Sequence, residues 1–227
     1  MCSAYDRAVD DRASSLRGSD VADRIRRGRL IVVLRRIAPR ERLVDLVEEL
    51  ADAGARAFEI TFDAPDAAAD LVACRDMLGR RGHDAIIGAG TVRTGLQVAE
   101  AAAAGASFIV SPLFDPEVVA ATLARSVPVI PGAYTPTEVD RAWRAGATFV
   151  KLFPASSLGP AHVRELRGPL PEVETIATGG VDATNARAFL DAGAVAVGIG
   201  SALVRAGPAQ RRAIVEDLAG AGPGRRG

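Results

Sequence analysis

The stretch FVKLFPAS, residues 149–156, places an ammonium group inside an apolar run, and Lys151 is the only lysine in the chain. Of 28 Lys and Arg residues, the other 27 are therefore Arg. A second ionisable group, Glu59, interrupts the apolar run AFEITF at 57–62. A structural ion pair is the plain reading, because a lone buried charge is costly. Arg, however, makes the better buried pair: its planar fork matches a carboxylate and it is more weakly hydrated than an ammonium. What a guanidinium does not do is lose its proton, whereas a desolvated lysine amine can. A nucleophilic amine beside a proton-transfer carboxylate is the apparatus for imine chemistry on a carbonyl substrate.

Two glycine-rich strings form a second constellation. TGGVDATN (178–185) and GIGSALV (198–204) each read as the end of a strand followed by a helix start. Glycine lets backbone N–H groups approach a ligand, and free N–H groups at helix starts favour anions. A phosphate is the expected ligand, with tight packing at two turns as the alternative.

Elements that would position these groups follow from a repeat. The tripeptide Ala-Gly-Ala recurs in DAGARAFEI, AAGASFIV, RAGATFVKL and DAGAVAVGI, led by Gly54, Gly105, Gly146 and Gly193. Each follows an Ala-rich amphipathic segment and precedes an apolar run, as expected of a helix C-terminus feeding a buried strand. Further apolar runs at LIVVLR, AIIGAGTV, VPVIPGAY and ETIATGG bring the strand candidates to eight. Continuously apolar strands alternating with helices predict a parallel sheet covered on both faces. The fold class expected is α/β, a (β/α)8 TIM barrel, with an open doubly wound sheet as the alternative. SDVADRIRRGR adds an N-terminal helix capped by Ser19 or Asp20. One domain over 19–219 is expected, between polar tails at 1–18 and 220–227.

In such a barrel the strand carboxyl ends carry the chemistry. Those ends present Arg35, Glu59, Thr91, Pro112, Lys151 with Phe153, Thr178 with Gly179 and Gly180, and Gly200 with Ser201. Glu59 and Lys151 fall on the second and sixth strands, which face each other, so both side chains can point inward. His83 and His162 read as surface residues, and Trp143 and Phe189 as packing against the sheet. Formal net charge is zero, so no basic field points to nucleic acid. The longest uncharged run near the C-terminus is too short to span a bilayer. Cys2 and Cys74 share no short spacing, and neither histidine has a partner at ligand spacing, so no metal or cofactor is expected. A cytoplasmic location is the default.

The ordered strings EITF, IGAGTV, IVSP, PG, KLFPAS, TGGV and GIGSALV, from about Leu30 to Val204, resemble the 2-keto-3-deoxy-6-phosphogluconate (KDPG) aldolases. That family includes 4-hydroxy-2-oxoglutarate (KHG) aldolases. The resemblance implies a homotrimeric class I aldolase, without a metal, acting on a small 2-keto acid. It makes Lys151 the Schiff-base lysine and Glu59 the general acid/base. Thr91, Pro112, Phe153 and Thr178 would line the pocket, Gly179, Gly180, Gly200 and Ser201 would hold a phosphate, and Arg35 would face the substrate's polar groups. One position departs from the pattern: many members carry Arg four residues after the glutamate, and here it is Asp63. Arg35 and Thr91 would then have to hold the substrate carboxylate. Two other readings stay open from the residues alone. One is a phosphosugar isomerase or epimerase using Glu59 as base and Lys151 as a fixed electrophile. The other is a sugar-acid-binding protein in which the two form only an ion pair.

Overall fold

The computed structural model describes residues 19–220; the expected tails lie outside this range, except that the last helix runs to Gly220. The chain alternates strands and helices. A first helix, α1 (19–28), leads into β1 (Leu30–Leu34), α2 (Arg40–Asp52), β2 (Ala57–Thr61), α3 (Ala67–Arg81), β3 (Ile86–Gly90) and α4 (Gly95–Ala103). Then come β4 (Ile109–Val110), α5 (Pro116–Leu123), β5 (Val129–Ile130), β6 (Gly132–Ala133), α6 (Pro136–Arg144) and β7 (Val150–Leu152). The chain ends with α7 (Ala155–Leu166), β8 (Thr175–Thr178), α8 (Ala186–Asp191), β9 (Ala196–Ile199), α9 (Ser201–Arg205) and α10 (Pro208–Gly220).

Every strand pairing is parallel, in the order β5-β4-β3-β2-β1-β9-β8-β7-β6. The run VPVIPGAY, read as one strand, is divided into β5 and β6 by Pro131. Proline has no N–H for the ladder, but its carbonyl still accepts the Lys151 N–H at 2.9 Å. β5 pairs with β4 on one side and β6 with β7 on the other. Nine parallel strand segments thus make a nearly closed (β/α)8 barrel, its fifth strand interrupted at Pro131.

Residue parity sorts the core into two layers, because successive side chains along a strand point to opposite faces. Val32, Phe58, Ile60, Ile87, Val150 and Val197 face outward and pack under the helices. Ile31, Ala57, Ile86, Phe108, Ile130, Phe149 and Ile176 face inward and fill the lower barrel. Val21, Ala22 and Ile25 of α1 join this inner cluster, so the helix is a floor across the strand starts. Ile25 is fully buried, which contributes about 2 kcal/mol. Arg26 stacks 5.3 Å over the Phe149 ring and forks onto Glu174, fixing α1 to the barrel. The expected caps are corrected: Ser19 and Asp20 are already helical, and Asp20 accepts from Arg24 one turn on.

The Ala-Gly-Ala repeat closes helices as expected. In all four, the glycine has φ between 84° and 112°. The alanine after it donates back to the last helical turn: Ala55 to Leu50, Ala106 to Ala101, Ala147 to Ala142 and Ala194 to Phe189. This is the Schellman pattern, and it aims each following strand into the barrel. No helix among the described residues is long and apolar enough to cross a membrane.

Candidate active site

The upper barrel interior is built from polar residues paired with glycines. Across neighbouring strands, Glu59 registers with Gly88, Thr61 with Gly90, Lys151 with Gly132, and Thr178 with Gly198. All four polar residues are buried, at 2% for Glu59, 1% for Thr61, 6% for Lys151 and 8% for Thr178. Gly90 and Gly198 leave the volume that Glu59 and Thr178 occupy. A Cβ on Gly90 would overlap the Glu59 carboxylate, and one on Gly198 would overlap the Thr178 hydroxyl.

Lys151 and Glu59 stand on opposite walls of the barrel, four strand positions apart. The Lys151 side-chain amine makes no ion pair or hydrogen bond among the described residues. Its one close companion is the Phe153 ring, 5.1 Å from Nζ to the centroid. Glu59 Oε1 is buried and has no hydrogen-bond partner. A structural ion pair between the two is therefore not what the fold contains. Burial of polar groups without partners is expensive, and such groups concentrate where a protein does chemistry.

Arg35 follows β1 and reaches the rim of the same space. Its Nη1 donates to Asp63 Oδ2 at 2.6 Å, and its Nη2 donates to Thr91 Oγ1 at 3.0 Å. Arg36 Nε lies 3.2 Å from the same Asp63 oxygen. Burial alone would raise the Asp63 pKa, but the Thr61 hydroxyl and the guanidinium groups of Arg35 and Arg36 outweigh it and hold the carboxyl below its ordinary range. Thr91 (φ 57°) and Arg36 (φ 49°) both adopt the left-handed region, a conformation unfavourable for a β-branched residue and one that collects at functional sites.

A cavity of about 280 Å³ opens at the strand carboxyl ends and brings together Arg35, Lys151, Phe153, Thr178, Gly179, Gly180, Gly200 and Ser201. Three of the expected residues are not on its wall. Glu59 lies beneath, against Gly90, Thr91 touches it through Arg35, and Pro112 packs its carbonyl against Gly132. The sequence reading missed Val33, Asp182, Gly198 and Arg205, which also line it. Val33 was recoverable from parity with Arg35, and Arg205 from its place one helical turn after Ser201. Arg205 makes no ion pair among the described residues. The Asp182 carboxylate accepts from the Thr184 hydroxyl at 2.6 Å and its N–H at 2.8 Å. Those two bonds hold its pKa below the usual range.

A larger cavity, about 390 Å³, lies under α1 at the other end and is lined by Val21, Ile86, Ala106 and Pro128 among others. None of the strand-end residues borders it. His83 and His162 are both half-buried rather than solvated, because His83 Nε2 leans toward Asp52 at 3.6 Å and His162 Nε2 is enclosed. Phe189 and Trp143 pack against the core as expected. No cluster of three or more His, Cys, Asp or Glu placed to hold a metal occurs among the described residues.

Comparison with known proteins follows the geometry. The family model "KDPG and KHG aldolase" matches residues 21–216. The chain is 38% identical to the 2-dehydro-3-deoxy-6-phosphogalactonate aldolase of Escherichia coli (strain K12) over 184 residues, 81% of this chain and 88% of that protein. It is 41% identical to the 2-dehydro-3-deoxy-phosphogluconate aldolase of Treponema pallidum over 156 residues, 68% of this chain and 71% of that protein. Among solved structures it resembles the KDPG aldolase of Legionella pneumophila, in which pyruvate is captured at low pH as a covalent carbinolamine. The TM-score is 0.75 at 28% identity, covering 89% of this chain and 96% of that one.

Proposed function

The chain belongs to the KDPG and KHG aldolase family, and on that premise we propose that this carbon–carbon lyase cleaves a 2-keto-3-deoxy-6-phospho sugar acid through a Schiff base on Lys151. The observation that carries the reading is the unpartnered, buried amine at the edge of a cavity of substrate size. The carbinolamine captured in the Legionella relative supports it by analogy.

In this mechanism the Lys151 amine adds to the C2 ketone, and the carbinolamine loses water to give a protonated imine. The Glu59 carboxylate, directly or through a water, takes the proton of the C4 hydroxyl. The C3–C4 bond then breaks. C4 leaves as the aldehyde, and the bonding electrons pass through C3 into the imine to form an enamine. Glu59 returns its proton to C3, and water releases pyruvate and restores the amine. Proton transfer of this kind contributes roughly 10²–10⁴ in rate.

The other residues divide by place. Arg35, bonded to Thr91, faces the C1 carboxylate, while Phe153 and Thr178 shape the wall around C2 and C3 and Pro112 stands behind it against Gly132. Gly179, Gly180, Gly200 and Ser201 offer backbone N–H groups and a hydroxyl to the terminal phosphate. Helices α8 and α9 have only 6 and 5 residues, so individual N–H groups rather than a long macrodipole would do the binding. A substrate with glyoxylate in place of the phosphorylated aldehyde, 4-hydroxy-2-oxoglutarate, would use the amine and carboxylate in the same way. The aldolase is expected to act as a homotrimer in the cytoplasm. The exposed side chains of Leu96, Leu113 and Tyr134 supply apolar surface for a second copy, and sedimentation measures the assembly.

Incubation with pyruvate, reduction with borohydride and peptide mass analysis test the chemistry. A pyruvate adduct on Lys151 is expected. An unmodified chain that still releases pyruvate from the phosphorylated substrate would reject the imine.

A further inference from the structure

Behind one of the cavity's arginines stands an acid that does not itself line the cavity. Asp63 spends a single oxygen, Oδ2, on two guanidinium groups, Arg35 at 2.6 Å and Arg36 at 3.2 Å, while Oδ1 is buried without a partner. The two guanidinium side chains are 54% and 66% exposed, and ion pairs of that exposure add little to stability. Arg35 is at the same time bonded to Thr91 and lines the Lys151 cavity. A long side chain tied at Nη1 and Nη2 has lost most of its rotamer freedom before any ligand arrives, and three of a guanidinium's five N–H donors remain unspent.

We propose that Asp63 is a positioning residue for carboxylate recognition: it clamps Arg35 against Thr91 so that the free guanidinium donors meet the C1 carboxylate of a 2-keto acid on Lys151. The inference rests on the imine reading of Lys151 and deepens it. Asp63 itself touches no substrate atom; it acts through Arg35. The trio of Asp63, Arg35 and Arg36 carries one net positive charge, so the rim stays attractive to an anion although an acid stands in it. The Thr61 hydroxyl and the same two guanidinium groups hold the carboxyl below its ordinary range despite burial, so the clamp does not loosen near neutral pH.

The test compares borohydride trapping by pyruvate with trapping by acetone, which has the ketone and lacks the carboxylate. In Asp63→Ala, trapping efficiency with pyruvate is expected to fall roughly tenfold, as for loss of one charge-assisted positioning bond, while trapping with acetone stays unchanged. Arg35→Ala is expected to show a loss at least as large. The double variant should then be no worse than Arg35→Ala alone, because a residue acting only through Arg35 has nothing to add once Arg35 is gone. Asp63→Asn, whose amide oxygen still accepts from Arg35, should recover part of the loss, and it carries the comparison if Asp63→Ala does not fold. Losses that multiply in the double variant, or equal loss with acetone, would overturn the proposal. Failure of the imine reading looks different: the unaltered protein would be trapped by neither ketone. Calorimetric binding of pyruvate to the unaltered and Asp63→Asn proteins then decides the matter, since equal affinities would overturn the clamp and a weaker variant would support it.

Discussion

Lys151 and Glu59 reach into the same end of the barrel from opposite walls and do not bond to each other. Both are buried, and neither has the ion-pair partner that a buried charge ordinarily requires. The protein carries this cost at two positions, and the return is an unpaired lysine on the cavity wall with an unpaired carboxylate oxygen beneath it.

Replacing Lys151 by Met should separate activity from stability. Removal of the nucleophile is expected to lower kcat/KM at least ~10³-fold. The apolar side chain relieves a buried ammonium that has no ion pair, so stability should rise by on the order of 1 kcal/mol. Thermal melts beside pyruvate-release assays check both. A lower melting temperature would mean that Lys151 has a structural partner after all.

Gly90 and Gly88 are two residues apart on β3, and Ala at each should fail differently. A Cβ at Gly90 collides with the end of the flexible Glu59 side chain, which can swing aside. Gly90→Ala should therefore fold, while kcat falls about 10²-fold because Glu59, the proposed general acid/base, is displaced by an ångström or more. At Gly88 the Cβ would stand 2.5 Å from the Phe108 ring, a rigid group in the packed floor. Gly88→Ala should lose about 1–3 kcal/mol of stability through overpacking. Urea unfolding and steady-state kinetics on the pair distinguish them, and equal effects on both quantities would contradict this division.

The contrast shows which features the sequence carried. The (β/α)8 fold was readable because four Ala-Gly-Ala junctions repeat one backbone solution, and because Lys151 and Glu59 break apolar runs at strand ends. The role of Gly88, Gly90, Gly132 and Gly198 was not, since each makes room for a group from another segment: the side chains of Phe108, Glu59 and Thr178, and for Gly132 the Pro112 carbonyl. Those contacts belong to pairs of segments far apart in the chain. The division of β5 from β6 at Pro131 was hidden for a related reason: a proline can sit in a strand if only its carbonyl is needed, and that depends on the neighbour. Asp63 could be seen as a departure from the family pattern, but its clamp on Arg35 needed three dimensions.

Acid should destabilise the protein only below about pH 4. In the fold Asp63, Glu138 and Asp182 all titrate below their ordinary values. Asp63 does so despite its burial, through Thr61, Arg35 and Arg36; Glu138 through the backbone N–H groups of Thr135 and Tyr134; Asp182 through the Thr184 hydroxyl. A carboxyl depressed on folding adds stability that is present above its unfolded value, about 4, and lost as pH falls through the folded value. The melting temperature should be nearly flat from pH 7 to 5 and decline below 4, less steeply in Asp63→Asn. A decline already under way at pH 6 would assign the loss to other groups.

Cys74 should resist thiol reagents while the fold persists. Burial pushes its pKa up to about 12, with the nearby Asp70 charge adding to the effect. At pH 8 only ~10⁻⁴ of it is then thiolate, the reactive form. Modification of the Cys74 peptide, followed by mass spectrometry, should track unfolding in urea. Fast labelling in native buffer would show that α3 opens on its own.

The floor laid by α1 also orders traffic in the catalytic cycle. With Ile25, Phe108 and Phe149 sealing the lower end, the barrel is a cup with one doorway, and whatever enters must leave past the same rim. In the proposed imine mechanism the cleaved aldehyde would depart past that rim before water reaches the covalent remnant below it, and pyruvate would be the last product out.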